Sequence, residues 1–317
     1  MADESLHPDA QRVCDLIVAV NRPAMETLTP AEAREAYLAA RKALQPDPED
    51  VAEVLELRAE GPAGPIPLRY YRGNGVAKGL LQPALVYFHG GGWVIGDLES
   101  HDQACRALAN AARCIVVAVD YRLAPEHKFP AAVEDAIAAT CWVSGNAARL
   151  GIDPQHIAVG GDSAGGNLAA VVALDARDRG GPPLVLQLLI YPSTDMSMSY
   201  PSHSRHAEQL PLRHTTMRWF VQHYLRDAKD KADWRASPLR AGNFANLAPA
   251  LVVIAGFDPL GDEGEAYAKA LADGGVPVTL ERFGGQIHGF LSMGRMVADA
   301  GRLVALAAAA LNRAFEA

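Results

Sequence analysis

One serine lies inside Gly161-Asp162-Ser163-Ala164-Gly165, between the short apolar run Ile157 to Val159 and a helical pattern from Asn167 to Ala176. A G-x-S-x-G pentapeptide carries mechanism only in the order strand, turn, helix. There the glycines permit a strained turn and a close helix–strand approach, and the serine hydroxyl stands at the tip. That order is present, so Ser163 is the candidate nucleophile; the bland alternative for the pentapeptide alone is a turn that merely starts a helix. Upstream, the buried-strand pattern Ala84 to Phe88 runs directly into His89-Gly90-Gly91-Gly92-Trp93. Consecutive glycines leave backbone N–H groups open to an oxyanion, the charge that develops on the carbonyl oxygen during acyl transfer. One such donor is typically worth roughly 3 kcal/mol of transition-state stabilisation. Gly91, Gly92 and Ala164 are the favoured amides, although spacing alone does not choose among the three glycines. The alternative is a flexible glycine loop with no ligand, against which stands its place at a strand end ahead of the serine.

A base and an acid should follow the nucleophile in the order Ser, Asp or Glu, His. Asp258 comes just past the strand pattern Leu251 to Ala255, and His288 lies in the loop Phe283 to Phe290 after the strand pattern Val278 to Arg282. Both therefore fall beyond carboxyl ends of strands, on the edge of a parallel sheet where open α/β sheets place their chemistry. An imidazole with an ordinary pKa near about 6.5 can take the serine proton at neutral pH and return it to the leaving group. The aspartate would fix its tautomer. Asp262 is a rival acid but reads as a first-turn carboxylate of the helix Glu263 to Ala272. His89 reads as a structural residue holding the glycine loop. His7, His101, His127, His156, His203, His206, His214 and His223 read as solvated or satisfied polar residues.

The elements that must position these groups are strands near Val51 to Glu60, Ile66 to Arg72, Ala84 to Phe88, Ile115 to Val119, Ile157 to Gly160, Leu184 to Ile190, Leu251 to Ala255 and Val278 to Arg282. Helical patterns fill most gaps after the third, which implies right-handed crossovers and a mostly parallel sheet. The first two strands, joined through Gly61 to Pro65, should form an antiparallel edge. Two segments stand outside this core. Residues 1–50 contain a helix from Pro30 to Leu44, with Thr29 and Glu32 as a capping box and Pro30 at the first helical position. Residues 196–236 carry a polar, histidine-containing loop and a helix through Trp219, Phe220 and Tyr224. Together they are the candidate cap, over a core formed by 51–195 and 237–317. Taken singly, Trp219, Phe220 and Tyr224 read as core contacts of their helix rather than substrate contacts.

HGGGW (His89 to Trp93), DYRLAPEHKFPAA (Asp120 to Ala132), GDSAGGNLAA (Gly161 to Ala170), LLIYPS (Leu188 to Ser193), DPL (Asp258 to Leu260) and IHGF (Ile287 to Phe290) together resemble the hormone-sensitive-lipase-like family of α/β-hydrolases, the bacterial family IV esterases. The resemblance covers about residues 51 to 312. It implies an α/β-hydrolase fold with an eight-stranded sheet flanked by helices under a helical cap. It also implies the triad Ser163, Asp258 and His288, the oxyanion amides of Gly91, Gly92 and Ala164, and no metal or cofactor. Hydrolysis of short- to medium-chain esters is the implied activity. Relatives are often dimers through the edge of their last strand, here Val278 to Arg282. Two departures matter: Gly261 stands where the family usually has an arginine that supports the acid loop, and Glu208-Gln209-Leu210 replaces a Glu-Gly-Tyr-like stretch of the cap.

At 317 residues, 50% hydrophobic and 21% charged, the chain can bury one large α/β core. A net charge of -8 with dispersed basic residues argues against nucleic acid or an anionic membrane as partner. The strongest apolar run, Leu303 to Leu311, is far short of the roughly 18 residues that span a bilayer, and Met1 to Pro8 has no apolar leader. Cys14, Cys105, Cys114 and Cys141 show no zinc spacing and read as reduced, mostly buried thiols of a cytoplasmic protein, in which a Cys105 to Cys114 bridge is disfavoured. The expected protein is thus a serine carboxylesterase acting on a small-molecule ester. Its alternatives are a ligand receptor on a hydrolase scaffold, which in the gibberellin receptors has lost the histidine, and an amide hydrolase with the same triad.

Overall fold

The computed structural model describes residues 5–317, so the first four residues of the 1–50 segment and of the Met1 to Pro8 stretch lie outside the described residues. Strands β1 (Glu53–Gly61), β2 (Gly64–Arg72), β3 (Gln82–Phe88), β4 (Ile115–Val119), β5 (Ile152–Asp162), β6 (Leu186–Ile190), β7 (Ala250–Phe257) and β8 (Val278–Ile287) form one sheet in the order β1-β2-β4-β3-β5-β6-β7-β8. The β1–β2 and β2–β4 pairs are antiparallel and every other pair is parallel. Alternation along the strands divides the core. Ala84, Val86 and Phe88 of β3 join one apolar cluster, while Leu85 and Tyr87 join the other. Helices α4 (Ala131–Gly145) and α6 (Ala164–Arg179) cover the first face, and α3 (Leu98–Ala111) and α10 (Asp299–Phe315) the second.

All eight expected strands are present; β5 begins earlier than expected, at Ile152, and β8 is the one whose carboxyl end moves furthest. It continues past Arg282 because pairing with β7 persists through Ala255 with Phe283 and, across an irregularity, Phe257 with Ile287. Gly284 and Gly285, which read as a loop, are there because Gly256 packs directly against the Gly284 backbone. The histidine that follows is therefore carried on the end of a strand rather than on a free loop.

Helix α2 (Pro30–Leu44) has the expected capping box, with the Thr29 side chain accepting from the Glu32 amide and the Glu32 carboxylate accepting from the Thr29 amide. A second helix precedes it, α1 (Pro8–Val20), opened by His7 Nδ1 accepting from the Asp9 amide and closed by Asn21 at φ 48°. The sequence reading lacks α1 because Leu16, Val18 and Val20 face outward rather than forming a core stripe. Within 196–236 lie a short helix, Pro201–Arg205, and a longer one, His214–Tyr224. Trp219, Phe220 and Tyr224 are all buried, and Tyr224 stacks on Trp93 with ring centroids 4.3 Å apart. All four cysteines are free, Cys14, Cys105 and Cys114 buried and Cys141 exposed. Among the described residues no helix is long and apolar enough to cross a membrane.

Candidate active site

Ser163 sits between β5 and α6 at φ 57° and ψ −117°, a conformation that costs a non-glycine residue about 1–3 kcal/mol and persists only where the surroundings enforce it. Here the Ser163 amide donates to the Ile190 carbonyl at 2.9 Å, and the Ser163 carbonyl accepts from the Asn167 amide at 3.1 Å. Gly161 and Gly165 both pack on the Phe88 backbone, leaving no room for a Cβ. The turn is thereby pressed against the end of β3, where the glycine loop begins.

Asp258 follows β7 and His288 follows β8, and the structure brings both to Ser163. His288 Nδ1 lies 2.7 Å from Asp258 Oδ2, and its Nε2 lies 2.9 Å from Ser163 Oγ. A carboxylate can only accept, so Nδ1 carries the proton and Nε2 presents its lone pair to the serine hydroxyl. Asp258 is 1% exposed, and its other oxygen accepts from the Leu260 amide at 2.8 Å. That amide secures the acid loop where the family arginine is replaced by Gly261. Asp262, the rival acid, lies in the first turn of the helix Gly261–Asp273 and accepts from the Ser202 amide and from Arg205, tying the helix Pro201–Arg205 to the core.

The glycine loop is shaped by close approach. Gly91 (φ 127°) and Gly92 (φ 56°) occupy the left-handed region, and a Cβ on Gly92 would overlap the Phe220 ring. Among the described residues the amides of Gly91, Gly92 and Ala164 have no recorded acceptor, as open oxyanion donors require. His89 Nδ1 lies 2.9 Å from the Gly90 carbonyl and its ring stacks on Tyr121; burial and the neighbouring His101 push its pKa down to about 4.

Sequence reasoning missed the role of Asp162. This buried carboxylate accepts from Tyr87 at 2.8 Å and from the Gly90 amide at 2.9 Å, and its Oδ1 lies 3.3 Å from His101 Nε2. Burial alone would raise its pKa, but His101, Arg41 and the Tyr87 hydroxyl hold it well below the usual carboxylate range. An acidic side chain inside a buried turn was the available signal. A second missed group is Glu263, fully buried, which accepts from the Thr194 amide at 2.6 Å and lies 2.9 Å from His203 Nε2. Burial pushes the Glu263 carboxyl above its usual range. His101 is thus a satisfied buried histidine, with Nδ1 on Ser100 and Nε2 on Asp162, whereas His203 is engaged through Nε2 and its buried Nδ1 has no partner.

Ser163 and His288 open onto a cavity of about 530 Å³. Its walls come from residues 16–44, from the glycine loop, and from 193–221, including Leu28, Met196, Met217 and Phe220. Trp219 and Tyr224 do not line it. No group of three or more His, Cys, Asp or Glu suited to a metal occurs among the described residues. The arrangement can deliver a nucleophile, a proton acceptor and open amides to one carbonyl.

Comparison with known proteins gives concordant likenesses. The profile of a family described as alpha/beta hydrolase fold matches residues 85–292. The carboxylic ester hydrolase LipN of Mycobacterium tuberculosis is 46% identical over 89% of this chain and 77% of its own length. The ethyl acetate hydrolase of Pseudomonas putida is 39% identical over 98% of this chain and 99% of its own. Among solved structures, an ester-hydrolase from the metagenome of Lake Arreo, complexed with a bipyridine phosphonate derivative, superposes with a TM-score of 0.95 at 44% identity, covering 98% of this chain and all (100%) of that one.

Proposed function

The chain belongs to the hormone-sensitive-lipase-like family IV of α/β-hydrolases and is a carboxylic ester hydrolase, and from that premise we propose that it works through an acyl-Ser163 intermediate. Ser163 Oγ attacks the ester carbonyl as His288 Nε2 takes its proton, and the amides of Gly91, Gly92 and Ala164 hold the oxyanion. The tetrahedral adduct collapses, and the alcohol departs with the proton from His288. Water then gives a proton to His288 and attacks the acyl-enzyme; Ser163 recovers the proton as the carboxylic acid leaves. Asp258 keeps the imidazole in the required tautomer throughout. The observation that carries this reading is the continuous relay Asp258–His288–Ser163, at 2.7 and 2.9 Å, opening onto a cavity of about 530 Å³.

Residues 1–50 and 196–236 serve as the cap, a reading supported by the parts of them, within 16–44 and 196–221, that line that cavity. The substrates are small esters of short to medium acyl chain. A bounded, largely apolar cavity supports that range, as does the name of the ethyl acetate hydrolase relative. Four free cysteines support a cytoplasmic setting, and the outer edge of β8, last in the sheet, is the surface through which two copies would pair. An organophosphonate label mapped by mass spectrometry, beside p-nitrophenyl esters of rising acyl length, tests the mechanism and the range together. Label on Ser163, with turnover greatest at short to medium acyl lengths, is expected. Label elsewhere would overturn the nucleophile, and a maximum at long chains would overturn the substrate range.

A further inference from the structure

Arg41 reaches from α2 into the wall of the same cavity and is only 9% exposed. A guanidinium has five N–H donors and is always charged. Here Nη2 donates to the Tyr37 hydroxyl at 2.7 Å and Nη1 to the Gly289 carbonyl at 3.4 Å, while Nε has no partner. The group lies over the Tyr37 ring, 4.6 Å from its centroid. Among the described residues no carboxylate comes within the 4.0 Å of an ion pair with it.

Other arginines of the chain differ. Arg69 meets Glu56 and Glu99, Arg122 meets Asp135, Arg72 meets Glu53 and Arg34 meets Glu126. All four are more exposed than Arg41, the one arginine among the described residues that is buried, and it has no carboxylate in contact. Asp162 acts on Arg41 through space only, with no direct contact between them; its own contacts, from Tyr87, the Gly90 amide and His101, all fall on Oδ1. Arg41 also touches Gly289, the residue after His288, so an anion bound to it would lie beside the proposed catalytic loop.

We propose that Arg41 is a specificity-determining residue that binds the carboxylate of an anionic ester, a substrate carrying a free carboxylate a few bonds from the reacting carbonyl. The inference rests on the acyl-Ser163 reading for the place of the reacting bond. A monoester of a short dicarboxylic acid is the simplest such compound, and an acyl ester of a hydroxy acid carries the same chemistry on the alcohol side. Both present a planar carboxylate that the guanidinium fork can hold by charge-assisted hydrogen bonds.

The test compares isosteric pairs that differ in charge. Monoethyl glutarate is set against ethyl glutaramate for the acyl side, and 3-acetoxypropanoate against 3-acetoxypropanamide for the alcohol side. In the unaltered protein kcat/KM should favour the anion by about 10- to 100-fold in one of the two pairs, the range expected for a hydrogen bond to a charged group. Arg41→Gln should erase that ratio and Arg41→Lys should restore part of it. If Arg41→Gln does not fold, the ratio in the unaltered protein and calorimetric binding of the same pairs to Ser163→Ala carry the test. Hydrolysis of the amides with no preference for either anion would overturn the inference and leave the esterase reading intact. A preference that survives Arg41→Gln would also overturn it. Turnover of none of the four esters, nor of any p-nitrophenyl ester, together with no anion preference in binding to Ser163→Ala, would overturn both readings.

Discussion

Asp162 and Gly90 are fastened to each other: the carboxylate beside the candidate nucleophile accepts the amide of the first loop glycine at 2.9 Å, and it fills the space a Cβ on Gly90 would need. One side chain thus sets the oxyanion loop against the serine turn, although the two are far apart in sequence. Asp162→Asn keeps the shape and removes the charge. It should lower kcat by about 10- to 100-fold with KM nearly unchanged, because loop placement matters most as the oxyanion forms. Steady-state kinetics on p-nitrophenyl butyrate decide this; a change confined to KM would contradict it.

Replacing the nucleophile should remove chemistry without removing the fold. Ser163→Ala should reduce p-nitrophenyl butyrate turnover by about five to six orders of magnitude, in line with triad knockouts. Its circular dichroism spectrum should be retained. Residual turnover within tenfold of the parent, in pure protein, would reassign the nucleophile.

Gly92 is closed to larger residues by Phe220 and by its φ of 56°. Gly92→Ala should therefore lower kcat by at least about 10-fold as the loop shifts, since one misplaced oxyanion donor costs that much or more. Pairing it with Phe220→Ala relieves the overlap but not the backbone strain, so recovery should be partial. Full activity in the single variant would show that the Gly92 amide plays no part.

His89 makes stability depend on pH. Its folded pKa of about 4 lies below the ordinary histidine value of 6.5, so between these values the unfolded chain binds a proton that the folded chain does not. The sign follows: this contribution is complete above about pH 6.5, declines as pH falls, and levels off below about pH 4, a loss of about 3 kcal/mol. His89→Gln should flatten that part of the profile in urea titrations from pH 7 to pH 4. Parallel profiles for the two proteins would show that His89 is not the group responsible.

Strand identity was legible along the whole chain, because the central parallel strands are buried and read as continuous apolar runs while β1 and β2 flank a short Gly-Pro turn. Strand ends were less so: β8 outruns its apolar pattern because its partner β7 continues to supply hydrogen bonds. Ser163, Asp258 and His288 could be named from order and from their places past strand ends. Helix α1 could not, since Leu16, Val18 and Val20 serve a cavity rim while only Ala10, Val13 and Cys14 reach the core, which leaves no clear apolar stripe.

What the sequence determined by itself is the set of candidate reacting groups and the scaffold under them, because strand periodicity, glycine turns and residue order are local properties. Only the tertiary structure decided the partners of buried charge. Asp162 meets Tyr87, Gly90 and His101; Glu263 meets His203 across 60 residues; Arg41 meets no carboxylate. The physical reason is that burial and ion pairing depend on which distant segments share a volume, and no periodicity along the chain records that.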